Sequence, residues 1–155
     1  MKGFEIMSNN YYYSQRFSSY AKKKIANGFT MASHGCYITC FAMILSYFND
    51  SAFYPDQMLA FLKRKHYVLP DARVWNQGLE DAAGFKLRFS YNPNPYQGDA
   101  TFGIREVRLK SGALHWVMDH PLLVGKVIDP WDGKVKLYKD FNFTGKNRFF
   151  MGKQN

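Results

Sequence analysis

The order of the hydrophobic patterns along the chain most constrains its fold. From Cys36 to Phe48, apolar residues recur at the spacing of a buried helix face, and Asn49 and Asp50 offer a stop. After Gly84 the pattern changes to short runs of alternating or apolar residues that suit β-strands. Because the helical segments come first and the strands later, the sequence predicts an α+β fold in which an antiparallel sheet packs on the N-terminal helices.

Two more helices are predicted before the strands begin. Pro55 suits a first helical position, and the segment runs through Leu62 into the cations of 63–65, which a helix C-terminus favours. A third, shorter helix is predicted from Val74 and is closed by Gly84.

The second half of the chain holds short runs suited to strands, parted by Pro or Gly. They lie at 85–91, 104–110, 114–118, 122–128 and 134–138. The segment 92–100, rich in Asn and Pro, is predicted to be a surface loop. Residues 1–30 are polar, aromatic and basic without periodicity, so we expect an irregular N-terminal arm.

Length and charge narrow the class of protein. A chain of 155 residues that is 46% hydrophobic can form one globular domain without disulfides or metals. Its formal net charge of +9 favours anionic partners such as nucleic acid, acidic polymers or anionic membranes. No apolar run suits a secretory signal or a membrane span, so we expect a soluble protein.

The chain has two cysteines, Cys36 and Cys40, one helical turn apart. At this spacing their Cβ atoms lie about 6 Å apart, beyond the roughly 4 Å of a disulfide, so free thiols are expected. Cys36 would open a helix, whose positive end stabilises a thiolate, the nucleophilic form of cysteine. Cys40 is expected in the core.

A thiolate nucleophile needs a base, and His115 lies in an apolar run where a titratable side chain requires an explanation. Asp129 ends the next run, across a turn expected near His120 and Pro121. On one face of such a hairpin, Asp129 would hold the imidazole through Nδ1 and leave Nε2 facing the sulfur. Upstream, the amide of Gln15 would stabilise an oxyanion together with the Cys36 N–H.

Each of these residues also has a structural interpretation when taken alone. A cysteine is often a small buried hydrophobe, and Asp129 begins an Asp-Pro-Trp-Asp-Gly segment that suits a turn. Among the other histidines, His66 follows a cationic run and is expected at a solvated helix end. His34 is expected to point away from its neighbour Cys36.

Together the residues resemble the papain-like cysteine peptidases, in the branch of the bacteriocin-processing peptidases and their phage and bacterial relatives. That branch has a Gln, a Gly-Cys followed by Thr and Ala-Met on a helix, a His-aromatic-Val strand and an Asp-Pro. The matching residues, which span about 11–138 with the helix at 54–62, are Gln15, Gly35-Cys36, Thr39, Ala42-Met43, His115-Trp116-Val117 and Asp129-Pro130-Trp131. Tyr37 and Ile38 stand where the family often has Gly-Pro.

The resemblance implies a papain-like peptidase domain over residues 1–155, with no cofactor and no metal. It implies that peptide or isopeptide bonds are hydrolysed through a thioester. In these terms Cys36 is the nucleophile, His115 the acid and base, Asp129 its orienting residue and Gln15 the oxyanion donor. Substrate contacts are predicted at the neighbouring positions, which are Gly35, Tyr37, Trp116 and Trp131.

Several alternatives stay open on the sequence alone. The net charge favours a peptidoglycan stem or cross-bridge peptide as substrate, and a protein precursor is the alternative within the peptidase class. Such an enzyme would be cytoplasmic or released with a phage. A nucleic-acid-binding protein would use aromatic and cationic residues at 86–91 and 146–150. Two other possibilities are a domain with an inactive site and a metal site built from His34, Cys36, Cys40 and His115.

Overall fold

Four helices pack against a six-stranded antiparallel sheet in the computed structural model, which describes residues 10–90 and 101–152. The helices are α1 (Met31–His34), α2 (Cys36–Asn49), α3 (Pro55–Arg64) and α4 (Gln77–Ala82). The strands are β1 (Lys24–Ala26), β2 (Phe29–Thr30), β3 (Leu87–Ser90), β4 (Thr101–Arg108), β5 (Leu114–Asp119), β6 (Lys126–Asp129), β7 (Lys134–Leu137) and β8 (Asn142–Gly152). Strands β1 and β2 form a separate hairpin, and the large sheet has the order β3-β8-β4-β5-β6-β7.

The predicted α+β class is confirmed, and helix α2 is its central element. It begins at Cys36 and ends at Asn49, as predicted, because Asp50 takes up the left-handed conformation (φ 48°, ψ 47°) that closes it. Every residue from 38 to 47 is buried, which is typical of a helix covered on all sides. The N-terminal segment, α3 and the sheet provide that cover.

Helix α4 is shorter than predicted. It begins at Gln77 rather than at Val74, because Val74 pairs with Val68 in an isolated antiparallel bridge. In that bridge the backbone of Val74 is extended, although the sequence pattern predicts a helix there. Helix α3 begins at Pro55, as predicted, and its last residue is Arg64.

The strand predicted over 122–128 is wrong in its first half. Strand β6 begins only at Lys126, and residues 122–125 form the turn that joins it to β5. His120 stabilises this turn, because its Nδ1 accepts the backbone N–H groups of both Leu122 and Leu123, each at 3.1 Å. The aliphatic side chains of the turn are therefore exposed, although their pattern resembles a buried strand.

Strand β8 was not predicted, yet it lies between β3 and β4 in the sheet. Its register against β4 shifts between Arg105 and Val107, and Gly145 has φ 94°. This irregularity breaks the two-residue alternation from which strands are predicted. The predicted loop at 92–100 lies outside the described residues.

The N-terminal segment contains only turns and the β1–β2 hairpin between residues 10 and 30, as expected of an irregular arm. Tyr11, Tyr20 and Ile25 nevertheless belong to the same hydrophobic cluster as α2 and the sheet. The segment is therefore fixed in place against α2 and the sheet. Among the described helices, none is long and apolar enough to cross a membrane.

Candidate active site

Cys36 is the first residue of α2 because the chain turns directly from α1 into α2 at Gly35. Gly35 ends one helix and begins the next with φ −88° and ψ 10°. A Cβ atom there would lie 2.5 Å from the carbonyl oxygen of Met31, so the junction requires glycine. The Cys36 thiol is consequently held, half-buried, at the N-terminus of the central helix. The predicted contact of Gly35 with a substrate stays a prediction.

His115 and Asp129 lie side by side on one face of the β5–β6 hairpin. The register pairs Met118 with Ile128 and, continued by one residue, Val117 with Asp129, so His115 is the diagonal neighbour of Asp129. Nε2 of His115 lies 2.7 Å from Oδ1 of Asp129, and both side chains are buried.

The ring nitrogen that meets Asp129 differs from the expectation. The sequence predicts that Nδ1 meets Asp129, whereas Nε2 does so in the structure. A diagonal neighbour is farther away than a directly opposite one, and Nε2 is the ring nitrogen farther from the backbone. Nδ1 is therefore left to face Cys36.

Cys36 lies close enough to His115 for its thiol to act on the pKa of the imidazole, so the structure brings the three predicted residues together. Burial alone would lower the pKa of His115, but the hydrogen bonds to Asp129 and Cys36 outweigh it and raise this pKa to about 9. At neutral pH the imidazole is consequently protonated and placed between two groups that can carry negative charge.

Both carboxylate oxygens of Asp129 accept hydrogen bonds. Oδ1 also accepts the backbone N–H of Trp131 at 2.9 Å, and Oδ2 accepts Nζ of Lys136 at 2.7 Å. Burial opposes the charged form, but hydrogen bonds from His115, Lys136 and Trp131 lower the pKa of Asp129 to about 2. The carboxylate is therefore ionised at neutral pH.

Lys136 belongs to this site although the sequence analysis does not predict it. It lies on β7 opposite Val127, which makes it another diagonal neighbour of Asp129, and it also contacts Asp132 at 3.0 Å. The available signal was the alternation of the 134–138 run after the Trp-Asp-Gly turn, which places Lys136 on the same sheet face as Asp129.

Gln15 lies between the segment after Asp129 and the α1–α2 junction. Its backbone N–H donates to the carbonyl of Pro130 at 2.6 Å. Its side chain is buried, and Nε2 donates to the carbonyls of Ala32 at 3.0 Å and Met31 at 3.4 Å. Oε1 is buried without a partner among the described residues. Gln15 is thus near the N-terminus of α2, and its role as an oxyanion donor stays a prediction.

Aromatic residues lie close in sequence to the three residues of the site. Trp131 is 44% exposed, and the guanidinium of Arg16 lies 4.1 Å from the centre of its ring. Trp116 meets Tyr37 edge to face at 4.9 Å, and the Tyr37 hydroxyl donates to Oδ1 of Asn76 at 2.6 Å. Their predicted contacts with a substrate stay predictions.

The remaining histidines do not join this cluster. His34 is exposed, contacts Ser33 Oγ at 2.8 Å and packs on the ring of Phe29. His66 is exposed just beyond α3. His120 lies under the β5–β6 turn, where its Nε2 is 2.8 Å from the hydroxyl of Tyr12.

Both cysteines are free thiols. Cys40 is fully buried, and this burial raises its pKa; it contacts the carbonyl of Trp116 at 3.9 Å. Within residues 10–90 and 101–152, no three His, Cys, Asp or Glu side chains are grouped as a metal site requires. The side chain of His34, one of the four candidate metal ligands, contacts Ser33 and Phe29 instead.

Comparisons of the chain with protein-family models and with curated proteins find no match.

Proposed function

We propose that the protein is a cysteine peptidase with a papain-like arrangement, in which Cys36 is the nucleophile. The single observation that carries the proposal is the buried His115, which is bonded to the Asp129 carboxylate and lies close enough to Cys36 for the thiol to raise its pKa. A nucleophile, a base and a residue that orients the base are the parts that covalent acyl transfer requires.

The chemistry follows from this geometry. The Cys36 thiolate attacks the carbonyl carbon of the scissile bond, and the π electrons move to the oxygen. When the C–N bond breaks, the imidazolium of His115 gives a proton to the leaving amine, and a thioester remains. Water then attacks the thioester carbonyl while His115 takes a proton from it, and Cys36 leaves as the thiolate.

Two donors are available for the oxyanion. The N–H of Cys36 is at the start of α2, where N–H groups have no partner within the helix. The second is Nε2 of Gln15, whose 3.4 Å contact with Met31 is long for a hydrogen bond and thus the one more readily exchanged for an oxyanion.

The substrate class is proposed from charge. With a net charge of +9, the protein is attracted to polyanionic surfaces such as a bacterial cell wall. We therefore favour a peptide or isopeptide bond in a peptidoglycan stem or cross-bridge, with a protein precursor as the alternative.

The nucleic-acid interpretation is weakened because Phe149 and Phe150, which would stack on bases, are buried in the sheet.

The test is the rate at which iodoacetamide alkylates the protein at pH 6, followed by intact mass spectrometry. At this pH an ordinary thiol, with a pKa near 8.5, is almost entirely protonated and reacts slowly. We expect one rapid addition in the wild type, none in Cys36→Ala and a slow one in His115→Ala. Cys40→Ser is the matched control, because Cys40 is buried and should not contribute.

The proposal is contradicted if the wild type reacts no faster than free cysteine and His115→Ala changes nothing. Rapid labelling would instead justify incubation with purified peptidoglycan and with peptide libraries, in which released amines are measured. If Cys36 is activated but neither peptidoglycan nor any peptide is cleaved, Cys36 remains a nucleophile and the peptidase assignment is overturned.

A further inference from the structure

The β5–β6 turn presents three successive aliphatic side chains to solvent. Leu122 is 47% exposed, Leu123 46% and Val124 101%, and we call these residues the Leu-Leu-Val tip. Isolated exposed apolar residues are ordinary on a protein surface, whereas a contiguous patch indicates a contact surface. The candidate active site uses none of the three.

The tip is held in place. His120 is mostly buried and its Nδ1 accepts the N–H groups of Leu122 and Leu123. Nε2 must then carry the ring proton, which it donates to the hydroxyl of Tyr12 at 2.8 Å. After the tip, Gly125 takes φ 78° and its carbonyl accepts the N–H of Tyr138. The aliphatic side chains therefore cannot fold back onto the core without losing these bonds.

Further apolar surface adjoins the tip across the β6–β7 pair. Leu137 lies opposite Lys126 in the register, and both Leu137 and Tyr138 are exposed by more than a third. Tyr138 stacks on Phe143 at 4.1 Å, which fixes its ring at the side of the patch. A tyrosine beside an aliphatic apex is typical of side chains at a membrane interface.

The charges around the tip favour an anionic partner. Lys126 and Lys139 are exposed beside it. Asp140 is the neighbouring exposed acid, while Asp119 is neutralised by a two-oxygen contact with Arg105 at 2.8 and 3.0 Å. Added to the overall charge of +9, this pattern predicts attraction to a negatively charged surface.

We propose that the Leu-Leu-Val tip inserts into the interface of a bilayer that contains anionic lipids. A turn of three residues is convex and small, whereas a stable protein contact buries about 800 Å² on each partner. A lipid interface needs no complementary shape and accepts a few aliphatic side chains assisted by nearby cations. The tip thus anchors the protein at a membrane surface without crossing it.

The experiment measures binding of the full chain to vesicles of phosphatidylcholine with and without phosphatidylglycerol, by sedimentation. We expect binding to the anionic vesicles and a loss of roughly tenfold or more in the partition coefficient for L122S/L123S/V124S. For K126Q and K139Q we expect a loss of about fivefold each. The matched control is L109S/L114S, which removes two exposed leucines at the other end of β5 and should bind like the wild type.

A direct readout of insertion uses Val124→Trp. Its fluorescence should shift to shorter wavelength on anionic vesicles and be quenched by brominated lipids, whereas the wild-type spectrum should change little. Because Val124 is fully exposed, this variant should unfold at the wild-type temperature. The triple variant, which also shortens the half-exposed Leu122 and Leu123, should unfold close to it, and circular dichroism checks both.

Three results would overturn the proposal. Equal vesicle binding by the wild type and L122S/L123S/V124S would mean attraction by charge alone. Self-association of the wild type, seen by sedimentation velocity and absent in the triple variant, would mean that a second copy covers the tip. No binding to either vesicle type would exclude a lipid partner. None of these results bears on the reactivity of Cys36, so the test is independent of the proposed peptidase function.

Discussion

Lys136 holds the oxygen of Asp129 that His115 does not use. Nζ of Lys136 lies 2.7 Å from Oδ2, while Nε2 of His115 lies 2.7 Å from Oδ1. The carboxylate is thereby held between two cations, which are its diagonal neighbours on the strands at either side of β6. Its orientation toward His115 depends on this arrangement, which gives the first two predictions.

Lys136→Met should raise the pKa of His115 further above its ordinary value. The substitution removes a positive charge near the imidazolium while the Asp129 carboxylate stays ionised. NMR titration of the His115 ring measures the pKa. We also expect a loss of about 1 kcal/mol of unfolding free energy, since a charged hydrogen bond is lost at a partly exposed site.

The control for this substitution is Lys134→Met, on the same strand but exposed and without an ion pair to Asp129. It should leave the His115 pKa unchanged, and Lys136→Arg should keep the wild-type value. A His115 pKa that does not move in Lys136→Met would mean that Lys136 does not act on the His115–Asp129 pair.

Asp129→Asn should lower the pKa of His115 and slow iodoacetamide labelling of Cys36 at pH 6 by roughly tenfold or more, because the imidazolium loses its charged partner. If the new amide oxygen still accepts the hydrogen bond from His115, the amide nitrogen faces Nζ of Lys136. Two hydrogen-bond donors then face each other. Adding Lys136→Met should therefore restore part of the lost unfolding free energy but not the labelling rate. Strictly additive losses of stability would contradict this donor conflict.

Gln15→Met should separate oxyanion stabilisation from thiol reactivity. Alkylation of Cys36 by iodoacetamide forms no oxyanion, so its rate should stay within a few-fold of the wild type. Acylation by p-nitrophenyl acetate does form one, and loss of a donor should slow it roughly 100-fold or more. If both rates fall together, Gln15 instead positions the α1–α2 junction through Ala32. If neither falls, it is not an oxyanion donor.

The stability of the wild type should fall as pH rises from about 6.5 to about 9. The pKa of His115 in the folded protein is raised to about 9, so the unfolded chain releases the proton first and the stabilisation is lost across this window. His115→Gln should remove this pH dependence, which is on the order of 3 kcal/mol because one pKa unit corresponds to about 1.4 kcal/mol. Urea unfolding at several pH values measures it, and parallel curves for the two proteins would refute it.

A second histidine should act in the opposite direction. Burial, with a contribution from Lys126, lowers the pKa of His120, so the unfolded state binds a proton first and stability falls as pH drops below about 6.5. Protonation would also remove the Nδ1 acceptor of the β5–β6 turn. His120→Asn keeps a side-chain acceptor that does not titrate and should flatten the curve between pH 6.5 and 5. An unchanged acid slope would assign the effect to other groups.

Local sequence patterns predict helices α2 and α3 together with the residues at which they begin. Helical spacing from Cys36 and the stop at Asp50 are local signals, since they depend on side-chain periodicity and on backbone conformation at single residues. The β5–β6 turn near Pro121, with His115 beginning one strand and Asp129 ending the next, is also local, and both positions follow from it.

Packing of the chain fixes what no local pattern encodes. Strand β8 pairs with strands distant in sequence, and its shifted register hides its alternation. The choice of Nε2, the clamp by Lys136 and the close approach of Cys36 to His115 all depend on how α2 and the strands pack. Likewise, Leu122 to Val124 have the composition of a buried strand. The hydrogen bonds that His120 accepts from Leu122 and Leu123 nevertheless hold them in an exposed turn. Burial and pairing partners are properties of the packed chain, which is why residue order alone left them open.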